Sequence, residues 1–287
     1  MHEFGLPQDE VLKIVARSVV VRRLAQDYED QYVLKGGALL FHVYNGPRAS
    51  FMDTDFASTG LADQNGVLDE IISDFSIDED GFILDAADGI WKPVDEVIKG
   101  NRVPFTVKLD DATLDRERLN ISISIRTAEV LDDTGPHWYD ASKFLTTQGF
   151  MVHGLSLNEL AAEKIIGAAL KGLPKHVVDL ALIARDKATQ IDTSRVTELV
   201  RDKVRIESKQ PETASLFKAK GVSRASDLAK VFLSSSDRST MQRTWDEVIV
   251  NQVWLNDDEL QRTDSLERLD TVMEHVDEFW LPVVQSF

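Results

Sequence analysis

The chain has 287 residues, 43% of them apolar, and a formal net charge of −17, enough length and apolar content for one large domain or two ordinary ones with a packed core. It has no cysteine, which excludes disulfides, thiolate metal sites and cysteine nucleophiles, and its six histidines form no H-x-x-x-H pair, so chemistry must rest on oxygen and nitrogen groups. The opening MHEFGLPQDEVLK has neither a basic nor an apolar leader region, and no stretch reaches the roughly eighteen uncharged apolar residues of a membrane span, so a cytoplasmic protein with no membrane partner is expected.

Residues 8–30 read as one amphipathic helix, with Val11, Ile14, Val15, Val19 and Leu24 recurring at three-to-five spacing. Tyr32-Val33-Leu34 reads as a short buried strand, Gly36-Gly37 as a turn, residues 38–44 as a helix, Asn45-Gly46-Pro47 as a breaker and residues 51–56 as a second strand. A helix is expected at 68–75 and strands at 81–84, 105–109 and 119–125. The last of these, LNISISI, alternates as a strand with one buried face does. After Gly154 the pattern is helical. Ser156 with Glu159 makes a capping box, Gly172-Leu173-Pro174 ends that helix, and further helices are expected at 175–186, 194–205, 223–234, 239–254 and 265–284, with 203–222 as a mobile connection. The fold class expected is α+β, with an α/β lobe over residues 1–150 and a helical lobe over 151–287. Trp91, Trp138, Trp245, Trp254 and Trp280 are far apart in sequence and read as core or interface residues.

The segment LKGGALLFHVYNGPRASFMDTDF carries the chemistry. Asp53 and Asp55 form a D-x-D. On an extended segment two carboxylates one residue apart share a side, which makes a seat for Mg²⁺, an ion held by one or two carboxylates plus phosphates and water. Gly36-Gly37 ahead of a helix exposes backbone N–H groups at the positive end of its dipole, where phosphate docks. The pairing points to metal-assisted handling of a nucleoside triphosphate. His42, on the helix after the turn, reads as a packed or surface histidine. Between Met151 and Ala225 thirteen Lys/Arg face nine acids, a basic segment in a chain whose remainder carries −21. Such a segment either meets a phosphate backbone or forms solvated helix faces.

The sequence resembles the AbiEii/MenT group of nucleotidyltransferase-like toxins, within the DNA polymerase β-like superfamily. Lys35-Gly36-Gly37 is similar to the family's K-G-G-[ST] phosphate turn, Arg48, Ser50, Asp53 and Asp55 to its R-x-[ST] followed by D-x-D, and Ala162-Glu163-Lys164 with Asp179 to its downstream A-E-K and helical Asp. Residues 32–180 carry the resemblance. It departs at Ala38, where the family has Ser or Thr, at one extra residue between Arg48 and Asp53, and at Asn120 and Ser122, where a third carboxylate often completes the metal site. Asp110 and Asp111, at the end of the preceding expected strand, are the candidates to take its place. The resemblance implies an NTP substrate, Mg²⁺ (or Mn²⁺) at Asp53 and Asp55, and nucleotide contacts from Lys35, Gly36, Gly37, Arg48 and Ser50. It implies a point charge from Lys164, and leaves Asp179 either to accept the acceptor's proton or to hold Lys164. The implied acceptor is a tRNA 3′ end, and the implied partner is a cognate antitoxin encoded nearby. The alternatives are transfer to a protein or small-molecule hydroxyl, or a nucleotide-binding module with weakened catalysis.

Overall fold

The computed structural model describes residues 8–28, 31–44, 53–58, 64–75, 82–86, 92–93, 101–109, 119–127, 132, 137–140, 150–232, 245 and 269–287. They fall into two compact units. The first holds the described residues from Gln8 to Leu155 except Asp132, and the second holds Asp132 together with everything from Ser156 onward.

The first unit is built on one mixed sheet. Its strands are β1 (Tyr32–Lys35), β2 (Asp53–Ser58), β3 (Phe82–Ala86), β4 (Lys92–Pro93), β5 (Asn101–Leu109), β6 (Leu119–Thr127), β7 (His137–Asp140) and β8 (Met151–Gly154). They run in the order β3-β5-β6-β2-β1-β8-β7, with β4 paired to β5 outside that path. The β1–β2 pair is antiparallel, and each partner gains a parallel neighbour, β8 beside β1 and β6 beside β2. Strands buried on both faces lose the polar alternation, as Val33 and Leu34 of β1 and Phe56 and Ala57 of β2 do, all buried. β8 carries the sheet past residue 150, so the helical unit starts at Ser156. β7 and β8 had no strand reading in the sequence, because HWYD and MVHG, unlike the apolar run of β1, are short and mix polar with apolar residues.

Helix α1 (Gln8–Asp27) packs against β1, β6 and β8. From Ala16 to Leu24 it is buried on every side, Arg17, Arg22 and Arg23 included, so the polar face expected of an amphipathic helix is also covered there. Helix α2 (Gly36–Val43) follows β1 without an intervening residue, so the Gly-Gly pair forms the helix's own first turn. It packs on β1, β2 and β7 through the buried run Ala38–His42. Helix α3 (Gln64–Phe75) packs against β3, and Tyr28 at the end of α1 donates a 2.6 Å hydrogen bond to Asp74 of α3.

The second unit is helical: α4 (Leu157–Lys171), α5 (Pro174–Lys187), α6 (Thr193–Glu207), α7 (Pro211–Ala219), α8 (Ala225–Phe232), α9 (Leu269–His275), a π-helical turn (Val276–Trp280) and α10 (Leu281–Gln285). Helix α4 is central, packing against α5, α6 and α8. Gly172 closes it in a left-handed conformation (φ 62°) and Pro174 opens α5, so the two helices form a tight hairpin. α7 lies where a mobile connection was expected at 203–222, started by Pro211, and its Phe217 is buried. The expected helix at 239–254 lies outside the described residues except Trp245, which is buried. Trp280 is fully buried and donates 2.8 Å to the Leu180 carbonyl oxygen. Trp138 instead is 45% exposed and stacks on His153 with ring centroids 3.6 Å apart.

Candidate active site

The β1–β2 register decides where the phosphate turn meets the carboxylates. Lys35 pairs with Asp55, so the last residue of β1 lies beside the second acid of the D-x-D. Asp53 begins β2 two residues further along the direction in which β1 becomes α2, and it pairs with Ser122 of β6, as Asp55 pairs with Ser124. Gly36 has φ +67°, a conformation that L side chains rarely adopt, and a Cβ built on it would lie 3.1 Å from Asp55 Oδ2. Glycine is therefore required twice over, for the backbone and for the approach of the carboxylate. That carboxylate lies against the first residue of α2, where backbone N–H groups lack helical partners and the helix dipole is positive.

These residues fit a divalent cation. The Asp55 carboxylate, held against a helix N-terminus, suits an ion that takes one or two protein carboxylates and leaves its other positions to phosphate and water, and Asp53 stands two positions earlier on the same strand. Among the described residues no group of three His, Cys, Asp or Glu side chains clusters as a metal site. Arg48, Ser50, Asp110 and Asp111 lie outside the described residues.

The other two expected site residues meet each other in the second unit. Lys164 of α4 and Asp179 of α5 are both buried, and Lys164 Nζ lies 2.7 Å from Asp179 Oδ2. Their helices are consecutive and antiparallel, so the pair spans the α4–α5 hairpin. Lys164 is thus held by a specific carboxylate.

A second ionic cluster anchors the start of α4, and the sequence reading missed it. Ser156 caps the helix by accepting from Glu159 N at 3.1 Å, but Glu159 does not complete the expected capping box. Its carboxylate instead accepts from Asp132 N at 3.3 Å and from Lys203 Nζ at 2.7 Å. Ser156 Oγ in turn donates to Asp132, which also receives Arg195 Nε at 3.4 Å. Glu163, of the A-E-K triplet, lies 3.5 Å from Lys203 Nζ. Burial alone would push the Lys203 ammonium down, but Glu163, Glu159 and Glu207 together hold it above the ordinary lysine range. The sequence signal was available in the spacing of Glu159 and Glu163, four apart on one helix face.

A family model, nucleotidyl transferase AbiEii toxin of the type IV toxin–antitoxin systems, matches residues 19–251. The chain belongs to the AbiEii nucleotidyltransferase toxin family. Among solved structures it is similar to MenT4, a nucleotidyltransferase toxin from Mycobacterium tuberculosis H37Rv, with a TM-score of 0.54 and 18% identity over 87% of this chain and 95% of MenT4. That likeness is one of fold, and it agrees with the α+β architecture expected from the sequence. JHP933 from Helicobacter pylori aligns with a TM-score of 0.43 and 12% identity over 85% of this chain and 98% of its own. No curated relative matches the sequence. No described helix is long and apolar enough to cross a membrane.

Proposed function

We propose that this AbiEii protein transfers a nucleoside monophosphate from an NTP to the 3′-terminal hydroxyl of tRNA, using Mg²⁺ (or Mn²⁺), as the cytoplasmic toxin of a pair whose antitoxin is encoded nearby. The observation that carries the reading is the seat of Asp55 Oδ2 against Gly36, which brings a metal-type carboxylate and a phosphate turn together. The cation, when bound at Asp53 and Asp55, neutralises charge on the transferred phosphoryl group and on the leaving pyrophosphate. Backbone N–H groups of Gly36 and Gly37 bind triphosphate oxygens at the positive end of α2, with Lys35, Arg48 and Ser50 as further donors. Lys164, whose A-E-K triplet is similar to the family's, is the compact cation of the reaction. Asp179 orients that ammonium, the role its 2.7 Å contact supports.

The test is incubation with each α-labelled NTP in turn, MgCl₂ and total tRNA. Label is expected on RNA with one or a few nucleotides. Asp55→Ala should lower transfer about a hundredfold or more while leaving the melting temperature unchanged, because metal-assisted charge stabilisation is worth several kcal/mol. Wild-type turnover in a folded Asp55→Ala protein would remove the site. A second reading, transfer to a protein or small-molecule hydroxyl, is favoured by the net charge of −17 and by the ion pairs that neutralise Lys203, Arg195 and Arg205 within the basic segment. Label on protein rather than RNA would select it.

A further inference from the structure

Gly167 of α4 faces His176 of α5. A Cβ on Gly167 would stand 3.0 Å from His176 Cε1, 3.0 Å from Nε2 and 3.1 Å from Cδ2. Near-equal distances to three consecutive ring atoms mean that the imidazole presents its face, since an edge-on approach would bring Nε2 distinctly closest. The ring therefore lies over a patch of helix that glycine alone leaves bare. Gly167 follows Lys164 by three residues and His176 precedes Asp179 by three, so this contact sits one turn nearer the Gly172 bend than the Lys164–Asp179 pair. Glycine is a poor choice for a helix interior, and α4 is otherwise rich in alanine and leucine. A local preference broken in this way marks a place where a tertiary contact sets the residue.

We infer that the Gly167–His176 contact is a spacer that fixes the α4–α5 separation at Lys164, and that His176 is a positioning residue for the Lys164 ammonium. The inference rests on the reading of Lys164 as a cation of the transfer reaction. Lys164 is buried and gripped by Asp179, so its Nζ moves with the hairpin. Packed helices do not deform continuously, and displacements of about 1 Å at a reacting group cost on the order of a hundredfold in rate. A change in the spacer should therefore appear in turnover, while the phosphate turn of the other unit keeps NTP binding intact.

Turnover and the KM for NTP are measured with labelled NTP and total tRNA for Gly167→Ala, His176→Ala, His176→Phe and the double variant Gly167→Ala/His176→Ala, beside Lys164→Ala. Gly167→Ala should lower kcat about tenfold or more with KM for NTP unchanged, because the new methyl displaces the ring. His176→Ala should lower kcat by letting the helices close. His176→Phe, which keeps a flat ring, should retain kcat, and the double variant should turn over faster than either alanine single, since the methyl refills part of the space the ring left. An inactive Lys164→Ala with additive alanine effects overturns the spacer alone. A fully active Lys164→Ala overturns both the spacer and the role of Lys164. Should Gly167→Ala not fold, the histidine pair decides: equal kcat in His176→Ala and His176→Phe overturns the inference.

Discussion

Gly36 and Gly37 are adjacent, yet their substitution should have different consequences. Of the two, Gly36 alone has a positive φ, and a Cβ on it would face the Asp55 carboxylate. Gly36→Ala is expected to destabilise by about 1–2 kcal/mol from the left-handed backbone alone, and to push the Asp55 carboxylate away from the helix start. Gly37→Ala, in the first turn of α2, should be close to neutral in stability. Chemical denaturation of both variants checks the difference, and equal losses would contradict the backbone argument. His42 gives a second residue-scale expectation. Buried between Phe41 and Phe150, it has its pKa lowered by burial from 6.5 to about 4, with Asp140 opposing the shift. The unfolded chain therefore binds this proton near pH 6.5 and the folded one does not until about pH 4. Stability is full above that window and falls as the pH drops through it, by about 1.4 kcal/mol per pH unit for one proton. His42→Leu should remove that slope, measured by denaturation between about pH 7 and pH 4.

At the scale of elements, α4 carries most of the second unit. One side pairs with α5 through Lys164 and Asp179, and its start is tied to α6 and Asp132 through Glu159 and Lys203. Glu159 and Lys203 are both nearly inaccessible, so each depends on the other for its charge to be tolerated. Lys203→Ala should cost about 3–5 kcal/mol, because it leaves the Glu159 carboxylate buried without its cation. Lys203→Met combined with Glu159→Gln should recover much of that loss, and equilibrium unfolding of the two proteins decides. Gly154 does comparable work in the sheet. A Cβ there would lie 2.4 Å from Leu39 and 2.9 Å from the Tyr139 ring, so β8 accepts α2 and β7 only as glycine. That close fit sets the height at which α2 sits on the sheet.

At the scale of the whole molecule, charge is unevenly used. The chain carries −17, and its basic segment looked in sequence like a stripe open to nucleic acid. The fold withdraws part of it: Lys164 and Lys203 are buried in ion pairs, while Arg195 and Arg205 are paired with neighbouring acids. Lys171 and Arg201 stay exposed and Lys175 is partly exposed, so exposed positions such as these, and not Lys203, would meet an RNA acceptor. If tRNA is the acceptor, Lys171→Ala/Lys175→Ala should raise the KM for tRNA without changing NTP binding. The same double variant should reduce the salt slope by about one for each phosphate that no longer meets a lysine. Salt-independent modification, insensitive to these substitutions, would move the assignment to a protein or small-molecule acceptor.

The sequence by itself determined many of the elements and the short patterns that mark the candidate residues. Periodicity, caps and the glycine and proline breaks located α1, α2, β2, α4 and α5 to within a few residues, because those signals are local and repeat at 3.6 or 2 residues. K-G-G, D-x-D and A-E-K were legible for the same reason, as short patterns in the chain. Only the tertiary structure decided which of these residues meet. The antiparallel β1–β2 register sets Asp55 on Gly36, and the hairpin at Gly172 closes Lys164 on Asp179. It also turned Glu159 from a helix cap into the partner of Lys203, and it buried α1 on every side from Ala16 to Leu24. These outcomes rest on residues tens of positions apart, and strand register and side-chain burial are set by packing between elements, which no pattern within one element encodes.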